Sequence, residues 1–384
     1  MFNASFAAIL DDIFDSVDYY VGSDQKRAVE QTIKTGGRKL SSNVSFHRIF
    51  VPSGNSSFYL LIRYIVGAIY NIWYLIFSNK SRVLIFNNNN PFSLVPITLF
   101  NFIVKRKVVI VSHGELEFIR SKNADLRMSG FYQLLGLMLR CGLKLSKRSG
   151  LIYFIVLGES LKKNLMSYGL IKEGQVLVID HPYLFKNQFE LETKILNKEH
   201  VIRIGTIGIF SEPKGSMALL TVSKNYLSEK KISFHVVGGI SGSAIKFEDY
   251  PNVIFHSRER NFIDRTEYLS LVDALDFVVF FYPKTMYKLM ASGAVFDAIN
   301  LNKPVLVLSN DYFDYLFDKH GRIGILCANI DQMMIEIDRL LSDESPDKYL
   351  FEGIARLKNH HSVESIARQL NSVFIEIDLF KNLK

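Results

Sequence analysis

Short runs of consecutive apolar residues recur along this chain, separated by segments with helical spacing: VVIV at Val108 to Val111, IYFIV at Ile152 to Val156, VVFF at Val278 to Phe281 and VLVL at Val305 to Leu308. A strand apolar on both sides must be covered on both faces, and parallel sheets crossed by helices do this. The expected class is therefore α/β, with Rossmann-like β/α/β units. A length of 384 residues exceeds one ordinary core and suits two domains of roughly 150 to 200 residues. Two such domains are expected to face each other across a cleft.

The first series runs from a polar lead-in ending near Ser42 through VSFHRIFV, the turn PSGNSS, the apolar helix FYLLIRYIVGAIYNIWYLIF, the strand and Asn-rich turn RVLIFNNNNP, the helix FSLVPITLFNFIV and the strand KVVIVSHGELE. LIYFIVLG and QVLVIDHPY follow. A polar stretch near 186–199 separates these from VIRIGTIGIF, ISFHVVGGI, NVIFHS, LDFVVFFYP and KPVLVLS. The expected division is a basic N-terminal domain over 1–190, a second domain over 191–365, and a C-terminal helix over 366–384 that crosses back to the first.

The net charge of +8 is unevenly spread, with residues 1–185 at +10 and the remainder at −2. No acidic residue lies between Gln31 and Gly114, whereas Lys34, Arg38, Lys39, Arg48, Arg63, Lys80, Arg82, Lys105, Arg106 and Lys107 do. A one-signed surface of this kind attracts anionic lipid or nucleic acid. The stretch Phe58 to Phe77 is long enough to cross a bilayer, but Arg63 and Asn71 inside it and the strand and turn before it favour a buried crossover helix. In GFYQLLGLMLRCGLKLSKRSG, Arg140, Lys144 and Arg148 recur every four residues beside leucines. That pattern fits a basic helix at a membrane surface or a solvated face over a core. The start MFNASFAAILDDIFDSVDYY carries acids where a secretory signal needs a basic region. Cys141 and Cys327 form no CxxC, so neither a disulfide frame nor a thiolate metal site is expected. The expected location is cytoplasmic, with peripheral contact at the inner face of the cell membrane.

In an open parallel sheet, ligands sit beyond the carboxyl ends of the strands, which selects five places. Gly54 in PSGNSS lets backbone approach a phosphate ahead of a helix start. In SHGELEF, His113 follows a strand with Glu115 and Glu117 beside it, suited to proton transfer or to binding a sugar hydroxyl, and HPY at His181 is a similar, weaker case. Gly205 and Gly208 permit a close turn, after which Lys214 stands ready to neutralise a diphosphate. Gly238 and Gly239 mark another strand-end turn. Finally, Ser292 and Gly293 open a helix whose N-H groups would meet phosphate, and Asp297 one turn on could accept ribose hydroxyls, or merely suit the helix dipole. HExxH, GxSxG and a Walker motif are absent from the sequence, so no metal and no nucleophilic triad are expected.

The order GIF…EPKG, HVVGG, EYLSLVDALDFVVFFYP and SGAVFDAINLNKPVLVL resembles the nucleotide-binding domain of GT-B glycosyltransferases, especially those of family 4. The resemblance implies that Lys214 contacts the donor diphosphate, that Ser292 and Gly293 present amides to the phosphates, that Asp297 takes the place of the ribose-binding Glu of a paired-glutamate motif, and that His113 lies near the reacting sugar. Leu289 stands where the first Glu of that pair belongs, and Ile209 replaces the usual basic residue after Gly208. The expected activity is metal-independent transfer of a hexosyl group from a nucleoside-diphosphate sugar to a glycan or lipid-linked acceptor in cell-surface polysaccharide synthesis. His113 and Glu115 would be catalytic, and Gly54, Gly208, Lys214, Gly238, Ser292, Gly293 and Asp297 would bind the donor. No cofactor is expected, and nucleic acid is not the expected partner. The rival readings are a sugar-nucleotide epimerase of the same fold and a non-catalytic polyanion- or membrane-binding protein.

Overall fold

The computed structural model of the chain describes residues 1–54, 57–87, 89–122, 130–185, 200–242, 245–257, 263–342 and 348–382. It divides into two compact units, the first made of Met1–Leu184, Lys288–Ala291 and His360–Lys384, the second of Phe185–Tyr287 and Ser292–Asn359. The stretch 186–199, where the sequence placed the domain boundary, lies outside the described residues.

Unit 1 begins α1 (Phe2–Ile13), β1 (Val17–Gly22), α2 (Ser23–Thr35), β2 (Val44–Ile49), α3 (Ser57–Phe77), β3 (Leu84–Phe86), α4 (Pro91–Val104) and β4 (Val108–Val111). It continues with α5 (Gly130–Ser149), β5 (Ile152–Val156), α6 (Glu159–Met166) and β6 (Val176–Val178). The strands β3-β4-β5-β6 form one parallel sheet, and β1 pairs with β2 in a separate parallel ribbon. All four residues of β4 are buried, as an apolar run without alternation requires. The Asn run after β3 supplies a helix start: the Asn90 side chain accepts from the Phe92 and Ser93 N-H groups, and Pro91 fills the first helical position. α4 and α5 approach closely because Gly142 has no side chain where Leu94 sits, and Thr98 Oγ1 lies 3.0 Å from Ser146 Oγ beneath them.

Three expectations change here. The lead-in to Ser42 is not merely polar. Within it α1 buries Ala4 to Leu10, and β1 supplies a strand whose partner β2 lies beyond a helix. The helix expected to be a buried crossover is instead open: within Phe58–Phe77 only Ala68 and Leu75 are buried. Nor is the acid-free segment a uniform cationic surface. Arg38 pairs with Asp12 and Glu364, and Arg82 pairs with Asp18. Arg106 is buried and donates to the carbonyls of Ser78, Asn79 and Arg82, and Lys107 donates to the Ile377 carbonyl.

Unit 2 comprises β7 (Ile202–Ile207), β8 (Phe210–Ser211), α7 (Met217–Lys224), β9 (Ile232–Val237), β10 (Ile240–Ser241), β11 (Val253–Phe255), α8 (Arg265–Asp273) and β12 (Phe277–Phe280). There follow α9 (Gly293–Asn300), β13 (Val305–Leu308), α10 (Asp311–His320), β14 (Gly324–Cys327), α11 (Ile330–Leu341) and α12 (Lys348–His360). The sheet order is β11-β9-β7-β12-β13-β14, with every pairing parallel. Phe210, Phe234, Phe277, Val279, Leu306, Met333 and Ile337 share its core. The chain lays β7, β9 and β11 outward in one direction and β12, β13 and β14 in the other, so its topological switch lies between β7 and β12. Helix α13 (Val363–Glu376) belongs to unit 1, where it packs against α1.

Candidate functional site

A crevice opens in a doubly wound sheet where strand order reverses, because the connections on either side leave in opposite directions. In unit 2 that place is the carboxyl end of β7 and β12. Gly208 follows β7 with φ +84°, and Gly238 follows β9 with φ +143°, a conformation essentially closed to residues with a side chain. A Cβ on Gly238 would fall inside the Gly208 carbonyl. The two strand ends therefore run side by side into β8 and β10, joined by Gly208 N-H to Val237 O at 2.9 Å and Phe210 N-H to Gly239 O at 2.9 Å.

Lys214 ends a tight turn from Glu212, closed by Gly215 N-H to Glu212 O at 2.8 Å with Gly215 at φ +69°. That glycine presses on the Phe281 carbonyl just past β12, leaving no room for a side chain. The Lys214 turn is thereby seated on the switch point. The Lys214 side chain is half-buried, and its ammonium makes no ion pair or hydrogen bond with any described residue. Across the same edge lies the start of α9, for a Cβ on Gly208 would stand 3.9 Å from Ala294 Cβ. Ser292 is the N-cap residue of α9, yet its side chain does not cap. It is buried and meets the Tyr282 hydroxyl at 3.3 Å, so what Ser292 and Gly293 offer a ligand is backbone and not hydroxyl. An uncapped first turn leaves N-H groups and the positive end of the helix dipole available to an anion.

Asp297, one turn further, is not a solitary carboxylate. Arg265 grips it with both terminal nitrogens, Nη2 to Oδ1 at 2.5 Å and Nη1 to Oδ2 at 3.1 Å, and the Tyr268 hydroxyl donates to Oδ2 at 3.2 Å. Burial and the adjacent Asp297 charge together hold the Tyr268 phenol well above its ordinary range, so it stays a donor. Arg265 and Tyr268 were missed in the sequence. Both lie on α8, and nothing in the local sequence links that helix to Asp297 on α9. Leu289, where the resemblance puts a glutamate, is fully buried in unit 1. Its N-H donates to Glu117 Oε1 at 2.8 Å, and the other Glu117 oxygen accepts from Arg120 at 2.7 Å. Glu117 thus holds backbone.

His113 and Glu115 lie in unit 1, just past β4. His113 Nε2 donates to the Asn87 carbonyl at 2.7 Å, which leaves Nδ1 as the acceptor, and the Phe2 ring stands edge-on 4.0 Å away. Burial lowers its pKa to about 4, so the ring is neutral at physiological pH and is a weak base. Such a ring is better suited to accept a hydroxyl's hydrogen bond than to remove its proton. Glu115 accepts from the His113 N-H at 3.0 Å, and burial pushes its pKa up to about 7 against the pull of several hydrogen bonds. A carboxyl half-protonated near neutrality can give or take a proton. Gly54 lies in unit 1, where its φ of +142° and its missing side chain make room for the Tyr59 ring ahead of α3. His181 is buried beside Phe2, its carbonyl accepts from His361, and Asp180 is tied to Gln369 of α13, so HPY is where the C-terminal segment is fastened.

The raised Glu115 pKa has a measurable consequence. Because the folded state holds this proton more tightly than the unfolded chain does, the associated stability is present below about pH 4.5 and is lost as pH rises through about 7. Glu115→Gln removes the dependence. In urea denaturation at about pH 5 and about pH 8, the wild type should lose on the order of 2–3 kcal/mol relative to this variant. Equal pH dependence in the two proteins would mean that Glu115 is solvated and ordinary.

No family model matches the sequence, and no curated protein does. Solved structures do match. Anabaena HepE in complex with UDP-glucose superposes with a TM-score of 0.61 at 15% identity, covering 97% of this chain and 95% of that one. WaaG, a glycosyltransferase involved in lipopolysaccharide biosynthesis, gives 0.54 at 12% identity over 93% and 97%. TarM gives 0.55 at 16% over 81% of this chain and 58% of that one. The chain has the fold of the GT-B glycosyltransferases.

Proposed function

We propose that the chain is a glycosyltransferase that takes a sugar from a nucleoside-diphosphate sugar and delivers it to a glycan or lipid-linked acceptor in cell-surface polysaccharide synthesis. The observation that carries this reading is the convergence, at one switch point, of Gly208, Gly238, the Lys214 turn and the uncapped start of α9. A diphosphate has two demands: close approach to backbone and fixed positive charge. Glycine without Cβ meets the first, and the Lys214 ammonium with the α9 amides meets the second. As the glycosidic bond breaks, negative charge grows on the leaving diphosphate, and these groups stabilise it without a metal ion. Asp297, oriented by Arg265 and Tyr268, receives the ribose hydroxyls, since a carboxylate accepts up to about four hydrogen bonds. His113 Nδ1 orients a sugar hydroxyl, and Glu115 exchanges the proton. Because HepE was solved with UDP and UDP-glucose, uridine is the base proposed.

A thermal-shift panel of UDP, GDP, ADP and CMP tests this. UDP at about a hundred times its dissociation constant should stabilise by about 2.7 kcal/mol and raise the melting temperature by roughly 5–10 °C, with or without EDTA. The Asp297→Ala variant should lose most of the shift. A flat response to all four nucleotides would remove the donor site. Incubation with donor alone separates transfer from epimerisation, since an epimeric product would need no acceptor.

A further inference from the structure

The helix read in the sequence as a buried crossover has the opposite surface, and it is not alone. On α3 the residues Ile65, Ile69, Trp73 and Phe77 fall on one stripe at four-residue spacing, with Ile69 59% and Trp73 57% exposed. α4 packs beside α3 and exposes Phe102 and Ile103, and on its other side α5 exposes Leu134 and Leu137. An exposed apolar area of this extent on one unit marks an interaction surface.

Its charges identify the occupant. α3, α4 and α5 each lead into a strand of the parallel sheet β3-β4-β5, so the three helices run the same way and end at the same edge. At that edge stand exposed Lys80 after α3, Lys105 after α4, and Lys144 and Arg148 in the last turns of α5. On α5 the outward stripe passes from Leu134 and Leu137 through Cys141 to Lys144 and Arg148, apolar first and cationic last. We propose that this face docks on an anionic phospholipid bilayer, the apolar side chains entering the acyl boundary and the four cations lying among the headgroups.

The helix lies in the plane and does not cross. Phe58–Phe77 has the length and hydropathy of a membrane span, but a crossing would separate β2 from β3 by about 30 Å of hydrocarbon. Here β2 is paired with β1, and β1 is held to the residues flanking β3 by the Arg82–Asp18 ion pair and by Asn87 Nδ2 to the Tyr19 hydroxyl at 2.9 Å. Both ends of α3 therefore stay on one side. Resting on the transferase reading above, a docked unit 1 narrows the acceptor class to saccharides carried on lipid.

Flotation of the full chain with vesicles of phosphatidylcholine, with and without phosphatidylglycerol, tests the docking. The wild type should float with the anionic vesicles. The combined Ile65→Ser, Trp73→Ser and Phe77→Ser variant should bind at least about tenfold more weakly, and each of Lys80→Gln and Lys105→Gln about fivefold more weakly, a difference that high salt removes. An environment-sensitive dye on exposed Cys141, with Cys327 buried, should shift to the blue on the same vesicles. The proposal falls if the wild type stays unbound to anionic vesicles, or if sedimentation without lipid shows a dimer that the triple variant disperses while no vesicle is bound. The UDP response of each protein is the control for folding. Flotation of a wild type that responds to none of the four nucleotides would sink the donor reading and leave docking standing, and a nucleotide response without flotation would do the reverse.

Discussion

Lys214→Ala is expected to lower kcat/KM for sugar transfer by about 10²–10³ while leaving the melting temperature of the nucleotide-free chain nearly unchanged. The size follows from removing one preorganised positive group from the place where charge develops on the departing diphosphate, a loss of about 3–4 kcal/mol of transition-state stabilisation. Stability should hold because the ammonium has no partner among the described residues, and surface substitutions without such a feature usually stay within about 0.5 kcal/mol. Lys214→Arg should not restore the rate fully, since a planar guanidinium on a turn fixed by Gly215 places its donors differently from a compact ammonium. Steady-state kinetics with donor and acceptor both varied are the measurement. A Lys214→Ala enzyme within threefold of wild type would place the diphosphate elsewhere.

Gly238→Ala should have the largest effect on folding of any single methyl group added to this site. Two costs add: backbone held at φ +143°, worth about 1–3 kcal/mol, and a Cβ driven into the Gly208 carbonyl, where relief requires the strand end to move, worth about 1–3 kcal/mol more. Chemical denaturation should show a loss of about 3–5 kcal/mol. The nucleotide response should vanish with it, because Gly208 and Gly238 support one another. Gly169→Ala is a useful comparison. That glycine has φ +62° but open space around it, so its cost should be limited to backbone strain of about 1 kcal/mol. If the two substitutions cost the same, the close approach of the two strand ends is not what the structure describes.

The parallel sheets were legible because β4, β5, β12 and β13 are apolar runs without a charged or strongly polar interruption, and only burial on both faces tolerates that. β1 was hidden by its own chemistry: VDYYVG mixes an acid with tyrosines and pairs with a strand beyond a helix, so nothing local reveals it. Among the site residues, Lys214 and the start of α9 could be found by counting from strand ends. The partner of Asp297 could not, since Arg265 sits on a different helix and the ion pair exists only when the sheet brings them together. Hydropathy also misled at α3. It measures an aversion to water and is silent on whether protein or lipid provides the shelter.

Unit 1 draws on residues from both the N-terminal and the C-terminal parts of the sequence, and α13 packs against α1, whose residues Ala4 to Leu10 are all buried. On a ribosome, α1 emerges hundreds of residues before the helix that covers it, while the strands of unit 2 are made in the interval. A nascent product would therefore carry a bare aromatic and alanine surface, recognisable to chaperones, until the residues of α13 have been made and unit 1 can close.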